Sequence, residues 1–138
     1  AKFIMGNRKT RCASDEIITG FRIPKPTHPA TSTFLKLGAR KYLVISIVMV
    51  AAVIENDNGN ISAVRIAVGS CSAAAKRLHM LERSLAGRPF RSGIGDLVTE
   101  DHLNQLSPID DVRGSADYRR DVALTLVRRA LEELVIDA

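Results

Sequence analysis

The sequence predicts an α+β domain in which a small antiparallel sheet of about three strands is followed by about three helices on one face. Three observations predict it. Val/Ile-rich runs at residues 42–54 and 61–68 flank an Asn58-Gly59 turn signal. From Ser72 onward the apolar residues recur three and four apart instead of alternating. All strand candidates precede all helix candidates, a segregation that belongs to α+β rather than to α/β folds.

Residues 1–10 show no clear period, and the opening Ala1-Lys2-Phe3-Ile4-Met5-Gly6 reads as the interior of a larger protein. Residues 16–23 read as a short strand. Pro24, Pro26 and Pro29 then form a stiff connector, which puts the boundary between an arm (1–26) and a domain (27–138) there. Residues 33–37 are a second short strand. The pattern breaks at Gly38 and resumes at Tyr42, so Gly38 and Arg40 are expected on a loop outside the core. The run 42–54 is β rather than helix because Val and Ile are stiff at χ1 and suit a pleated surface. In the run 61–68, Val64, Ile66 and Val68 form one apolar face opposite Ala63, Arg65 and Ala67.

Ser72 is an N-cap candidate for a helix with Ala74, Leu78, Leu81 and Leu85 on one face, and Gly87 suits its left-handed C-terminal position. Ile94, Leu97 and Val98 suggest a shorter helix to about Leu106. After a turn at residues 108–114, Ser115 caps a long final helix through Val135. Its buried face is Val122, Ala123, Leu126, Val127, Ala130, Leu131 and Leu134.

The 138 residues suit one domain, and 46% hydrophobic content is enough for a packed core. Aromatics make up 4%, so that core must be aliphatic. The net charge of +5 is spread among acidic residues with no aromatic platform beside it, which argues against nucleic-acid binding. Cys12 and Cys71 form no CxxC and no zinc spacing, so a reducing cytoplasm is expected. The N-terminus lacks a signal-peptide pattern, and the apolar run 42–54 is shorter than the ~20 residues of a membrane span.

Few residues carry chemistry by spacing alone. Gly93-Ile94-Gly95 lacks the third glycine of a dinucleotide loop and reads as a turn and helix start. Asp110-Asp111 suits backbone N–H groups before a helix, with Arg113, Arg119 and Arg120 supplying a local ion network or a docking point. His28, His79 and His102 share no motif, so no metal set is assigned, and no catalytic residue is assigned either. Lys36 is a solvated strand lysine or a cation held near an anionic or electron-accepting group.

Three stretches together resemble the FAD-carrying subunit of xanthine/carbon-monoxide-dehydrogenase-type molybdenum hydroxylases. Gly6-Asn7-Arg8-Lys9-Thr10 with Asp15-Glu16-Ile17-Ile18-Thr19 and Ile23-Pro24 is similar to the end of that family's FAD-binding domain, with Asn7 in place of the usual aromatic. Phe34-Leu35-Lys36-Leu37-Gly38-Ala39-Arg40-Lys41 is similar to its F-x-K-x-G-x-R-x segment. The run from Pro108 through Asp110-Asp111-Val112-Arg113-Gly114-Ser115 to Arg120 is similar to the motif before its last helix.

The resemblance implies a C-terminal portion of that subunit. Residues 1–26 would end the FAD-binding domain, and 27–138 would form the flavoprotein C-terminal α+β domain. It implies FAD in the complete subunit, molybdopterin and [2Fe–2S] clusters in partner subunits, and electron transfer from those clusters through FAD to an external acceptor. Ile17 and Ile18 match an apolar pair that packs on the flavin, and Lys36 matches a lysine beside its ring. Tyr42, Leu43 and Val44 stand where vertebrate relatives carry acidic residues, so NAD use is not carried over. The alternatives are a subunit-docking α+β module without redox role and a basic nucleic-acid-binding domain.

Overall fold

The computed structural model describes residues 3–136. A short hairpin of β1 (Ile4–Gly6) and β2 (Lys9–Thr10) opens the chain, turning at Arg8 with φ 54°. The main sheet holds β3 (Ala30–Gly38), β4 (Ser46–Asp57), β5 (Asn60–Gly69) and β6 (Lys76–Arg77). Their spatial order is β3-β4-β5-β6, with every neighbour antiparallel. Two α-helices follow, α1 (His79–Leu85) and α2 (Ala116–Ile136). α2 lies against β3 and β4, and α1 against β5.

The alternation in β4 sends Val48, Val50, Ala52 and Ile54 into the core, where they join Val64, Ile66 and Val68 of β5. Ala123, Val127, Ala130, Leu131 and Leu134 close the core from α2, as the three-and-four spacing predicts. Asn58 and Gly59 both take positive φ, 50° and 80°, the geometry that joins twisted strands through a two-residue turn. A bulge next to this turn pairs Glu55 with Ala63 but Asn56 with Ile61, leaving Ser62 unopposed. The extra residue reverses the parity, so Ile61 is buried on the same side as Val64 instead of pointing away. Arg40 is exposed in the loop after β3, as expected, whereas Gly38, expected on that loop too, ends β3 and is half-buried.

Four expectations are corrected. Residues 16–23 form no strand, because an isolated extended segment has no neighbour to satisfy its N–H and C=O groups. The strand expected from Tyr42 begins at Ser46, since Leu43 takes φ 49° and breaks the extended run. The helix expected from Ser72 begins only at His79. The intervening chain pairs with β5 as β6, and the Leu78 N–H donates to the Ile66 carbonyl at 2.9 Å. Ser72 accepts a hydrogen bond from the Ser107 N–H instead of capping a helix. The helix expected near residues 94–106 is two 3₁₀ turns, Ile94–Leu97 and Glu100–Leu103. The second is held by a Thr99/His102 capping box. The α-helices therefore number two among the described residues, not three, and the main sheet holds four strands rather than about three because the two-residue β6 pairs with the edge of β5. No helix among the described residues is long and apolar enough to cross a membrane.

Candidate functional site

β3 divides its residues between two faces. Thr31, Thr33, Leu35 and Leu37 turn toward α2, and the Thr33 hydroxyl meets Glu133 there at 3.3 Å. Ser32, Phe34 and Lys36 occupy the opposite face, where they are exposed. Antiparallel register continues this open face as Met49, Ala51 and Val53 on β4, then Gly69, Ala67 and Arg65 on β5. Phe34 is 59% exposed on it, so the face is apolar and open beside a lysine.

The Lys36 ammonium donates to the Val44 carbonyl at 2.7 Å, and the Arg40 guanidinium donates to the Leu43 carbonyl at 2.7 Å. These two bonds fold residues 39–45 back over the end of β3. Gly38 permits the fold, because a Cβ there would lie 2.4 Å from Cγ1 of Val44. Lys36, Arg40 and Lys41 consequently rim one shallow recess with Leu37 and Gly38. Lys41 also sits 5.2 Å from the Tyr42 ring centroid, a cation–π distance. The result is a cationic rim with exposed Tyr42, Leu43 and Ile45 around it.

Ile17 and Ile18 lie elsewhere, on the extended arm. They are 85% and 53% exposed, and Phe21 and Ile23 beside them are exposed too. The arm is bonded to the sheet at its C-terminal end, whereas the bond at Glu16 is local. Glu16 accepts from the Ala13 N–H at 2.8 Å, and Thr27 and His28 donate to Glu55. No hydrogen bond joins Ile17 or Ile18 to Lys36; the three are separate exposed groups.

The other titratable clusters serve the fold. Arg65 and the Thr27 and His28 amides hold the Glu55 carboxyl down at about 2, against the penalty of burial. The Arg113 guanidinium and N–H, with Arg119, hold Asp111 down at about 2. Arg119 is buried in the first turn of α2 and also donates to the carbonyls of Ile47 (2.7 Å) and Ser70 (3.1 Å). Asp110 caps the helix start by accepting from the Ala116 N–H at 2.7 Å. The expected ion network around this helix start is thus present for Arg113 and Arg119, whereas Arg120 is exposed. Burial pushes Glu82 up, but Arg77, the Ile66 N–H and His79 outweigh it and the carboxyl ends below its ordinary value. Burial raises the Cys71 thiol despite nearby Arg119.

The glycine pair is already filled from within. Glu132 of α2 accepts from the Gly93 and Gly95 N–H groups and from Ser92, and these bonds outweigh its burial and lower its pKa. A Cβ on Gly95 would lie 2.7 Å from the Arg128 carbonyl. The chain's own carboxylate thus takes up the N–H groups of this turn. A cavity of about 380 Å³ between the second 3₁₀ turn and α2 is lined by Glu100, Asp117, Asp121 and Arg120, and it touches none of the expected site residues. Among the described residues no cluster of His, Cys, Asp or Glu could hold a metal.

Residues 33–134 match the model of the CO dehydrogenase flavoprotein C-terminal domain. The chain belongs to that family. The chain is 33% identical over 94% of its length to the nicotine 6-hydroxylase medium subunit of Paenarthrobacter nicotinovorans, covering 44% of that protein. It is 27% identical over 99% of its length to the xanthine dehydrogenase FAD-binding subunit of Escherichia coli O157:H7, covering 47% of it. Among solved structures it superposes with TM-score 0.85 on a chain of carbon monoxide dehydrogenase from Hydrogenophaga pseudoflava, at 27% identity, covering 96% of this chain and 46% of that one. The chain spans about half the length of the curated relatives it matches.

Sequence reasoning missed Glu55 as an organising residue. The available signal was a carboxylate at the end of a Val/Ile strand, directly after the apolar run. It also missed the β1–β2 hairpin, whose signal was Gly6-Asn7 between two short runs.

Proposed function

We propose that the chain is the C-terminal part of the FAD-binding, electron-transferring subunit of a molybdenum hydroxylase. The observation that carries this reading is the match along nearly the whole chain to proteins named as FAD-binding or medium subunits of such enzymes. Residues 1–26 close the FAD-binding domain and 27–138 form the C-terminal domain. Partner subunits carry molybdopterin and [2Fe–2S] clusters, and the bound FAD supplies a ring that takes electrons from those clusters and yields them to an external acceptor.

The residues present fit the flavin ring and not its pyrophosphate. Exposed Ile17 and Ile18 offer an apolar edge, and Lys36 offers a cation on an open face. The glycine N–H groups that could cradle a phosphate hold Glu132 instead. Ile17 and Ile18 would pack on the ring, and Lys36 would act by electrostatics: a fixed positive charge favours the ring once it holds electrons. At an effective dielectric of about 20, a unit charge within several ångströms of the ring would be worth on the order of 2–4 kcal/mol before solvent screening reduces it.

The test uses the complete subunit, assembled with its partners. It should purify yellow with about one flavin per subunit. Lys36→Met should make the flavin harder to reduce in a redox titration, while oxidation of substrate at molybdenum continues with an artificial acceptor. An unchanged midpoint with FAD fully bound removes Lys36 from the site. A complete subunit that takes up no flavin defeats the reading and favours the docking module, for which the exposed apolar arm is the supporting observation.

A further inference from the structure

Among the described residues, the hydrogen bonds that hold the arm carrying Ile17 and Ile18 to the sheet lie at one junction. From residue 17 to residue 26 the chain makes no hydrogen bond to another described residue. At Thr27 this changes. Oε2 of Glu55 accepts from the Thr27 N–H at 2.9 Å, the Thr27 hydroxyl at 3.0 Å and the His28 N–H at 3.3 Å. Oε1 is held by Arg65 at 2.7 Å, and the Asn56 N–H donates to the Pro29 carbonyl at 2.9 Å. The Glu55 side chain is 1% exposed, and a carboxylate so buried is stable only when its acceptor sites are filled. One of its two oxygens is devoted wholly to the arm junction.

The direction follows from register. Lys36 pairs with Met49, and Met49, Ala51, Val53 and Glu55 alternate onto one face, so Glu55 and Lys36 share a face at opposite ends of the β3–β4 ladder. From Met49 to Glu55 the strand advances about 20 Å. From Ile18 to Thr27 the chain reaches up to about 30 Å when extended. Pro24, Pro26 and Pro29 stiffen the connector, so an orientation set at Thr27 is carried back along it.

We propose that Glu55 is a positioning residue: it latches the 27–28 junction to β4 and sets the direction in which the arm presents Ile17 and Ile18 to the face carrying Lys36. This rests on the flavin reading above. Losing the latch leaves the binding site's residues intact but lowers the fraction of time they are aligned.

Two measurements test it. In the chain itself, the Thr27 and His28 amides should exchange slowly with solvent, and Glu55→Gln should release them. Unprotected amides in the wild type would overturn the latch. In the complete subunit, an arm aligned about a tenth of the time raises the apparent FAD dissociation constant about tenfold, and Glu55→Gln should show that loss. Thr27→Ser, which keeps the hydroxyl, should bind FAD as the wild type does, and Thr27→Val should fall between. Glu82→Gln is the control: it disturbs another buried carboxylate of the same domain, remote from the arm in its bonding, and should lower stability without loosening FAD. Unchanged FAD binding in Glu55→Gln, or equal weakening in Glu82→Gln, would overturn the positioning role. A wild-type subunit that binds no flavin would defeat the parent reading and the positioning role with it, and amide exchange would still report separately whether the latch exists.

Discussion

Replacing Arg119 by methionine keeps an unbranched stem and deletes the guanidinium. That group is 2% exposed and joins three elements: the Ile47 carbonyl of β4, the Ser70 carbonyl after β5 and the Asp111 carboxylate before α2. Hydrogen bonds to a charged donor are worth about 1.5–3 kcal/mol each, so the two carbonyl bonds alone set a loss of about 3–6 kcal/mol. Methionine recovers about 1 kcal/mol of this by packing its apolar atoms, which leaves about 2–5 kcal/mol. Asp111 keeps Arg113 as a partner. The loss is a large share of the ~5–15 kcal/mol that holds a domain folded. In urea unfolding followed by circular dichroism, with a slope of about 2 kcal/mol per M, the midpoint should fall by about 2 M at unchanged slope. Exposed Arg120→Met should stay within about 0.5 kcal/mol of wild type. A fall of less than about 0.5 M for Arg119→Met, at the same slope, would refute the idea that this arginine ties the helix start to the sheet.

The acid limb of stability should come from depressed carboxyls. Glu55 and Asp111 titrate near 2 in the fold, below ordinary values of 4.5 and 3.8, so their contribution is complete above those ordinary values and is lost as pH falls toward 2. Urea midpoints measured from neutral to strongly acidic pH should therefore drop mainly below about pH 5, and Glu55→Gln should flatten that drop; a flat wild-type profile would contradict the assignment. Gly95→Ala should cost about 1–3 kcal/mol, because the new methyl meets the Arg128 backbone carbonyl, and an unchanged melting temperature would show that the 3₁₀ turn yields freely. The isolated chain should bind FAD weakly or not at all, since it offers a ring edge and one cation but no free phosphate cradle. A yellow, stoichiometrically loaded chain would contradict this.

What could be read before folding was whatever neighbours along the chain decide. The Asn58-Gly59 turn, the left-handed Gly87, the Ser115 cap and the buried stripe of α2 all follow from residues within a few positions of one another. Lys36, Ile17 and Ile18 stand out through motif resemblance, and in the fold they are exposed on two different segments. A solvated strand lysine and a cation placed beside a flavin both fit the exposure of Lys36, and the redox titration of Lys36→Met separates them.

Local periodicity and short motifs carried the α+β class, the order of strands before helices, the hairpin turn, the aliphatic core and the family resemblance. All of these depend on residues close together in the sequence. The path of Ala73 to Leu78 was settled by packing instead. The alanines favour a helix locally, but the exposed edge of β5 offers its carbonyls, and β6 takes them. Packing likewise had Glu132 fill the glycine turn 37 residues before it, Arg119 reach Ile47 across 72 residues, and Glu55 hold the arm junction 28 residues upstream. A buried charge must find its partners wherever packing brings donors and acceptors within about 3 Å, and that proximity exists only once the distant segments have folded against the sheet.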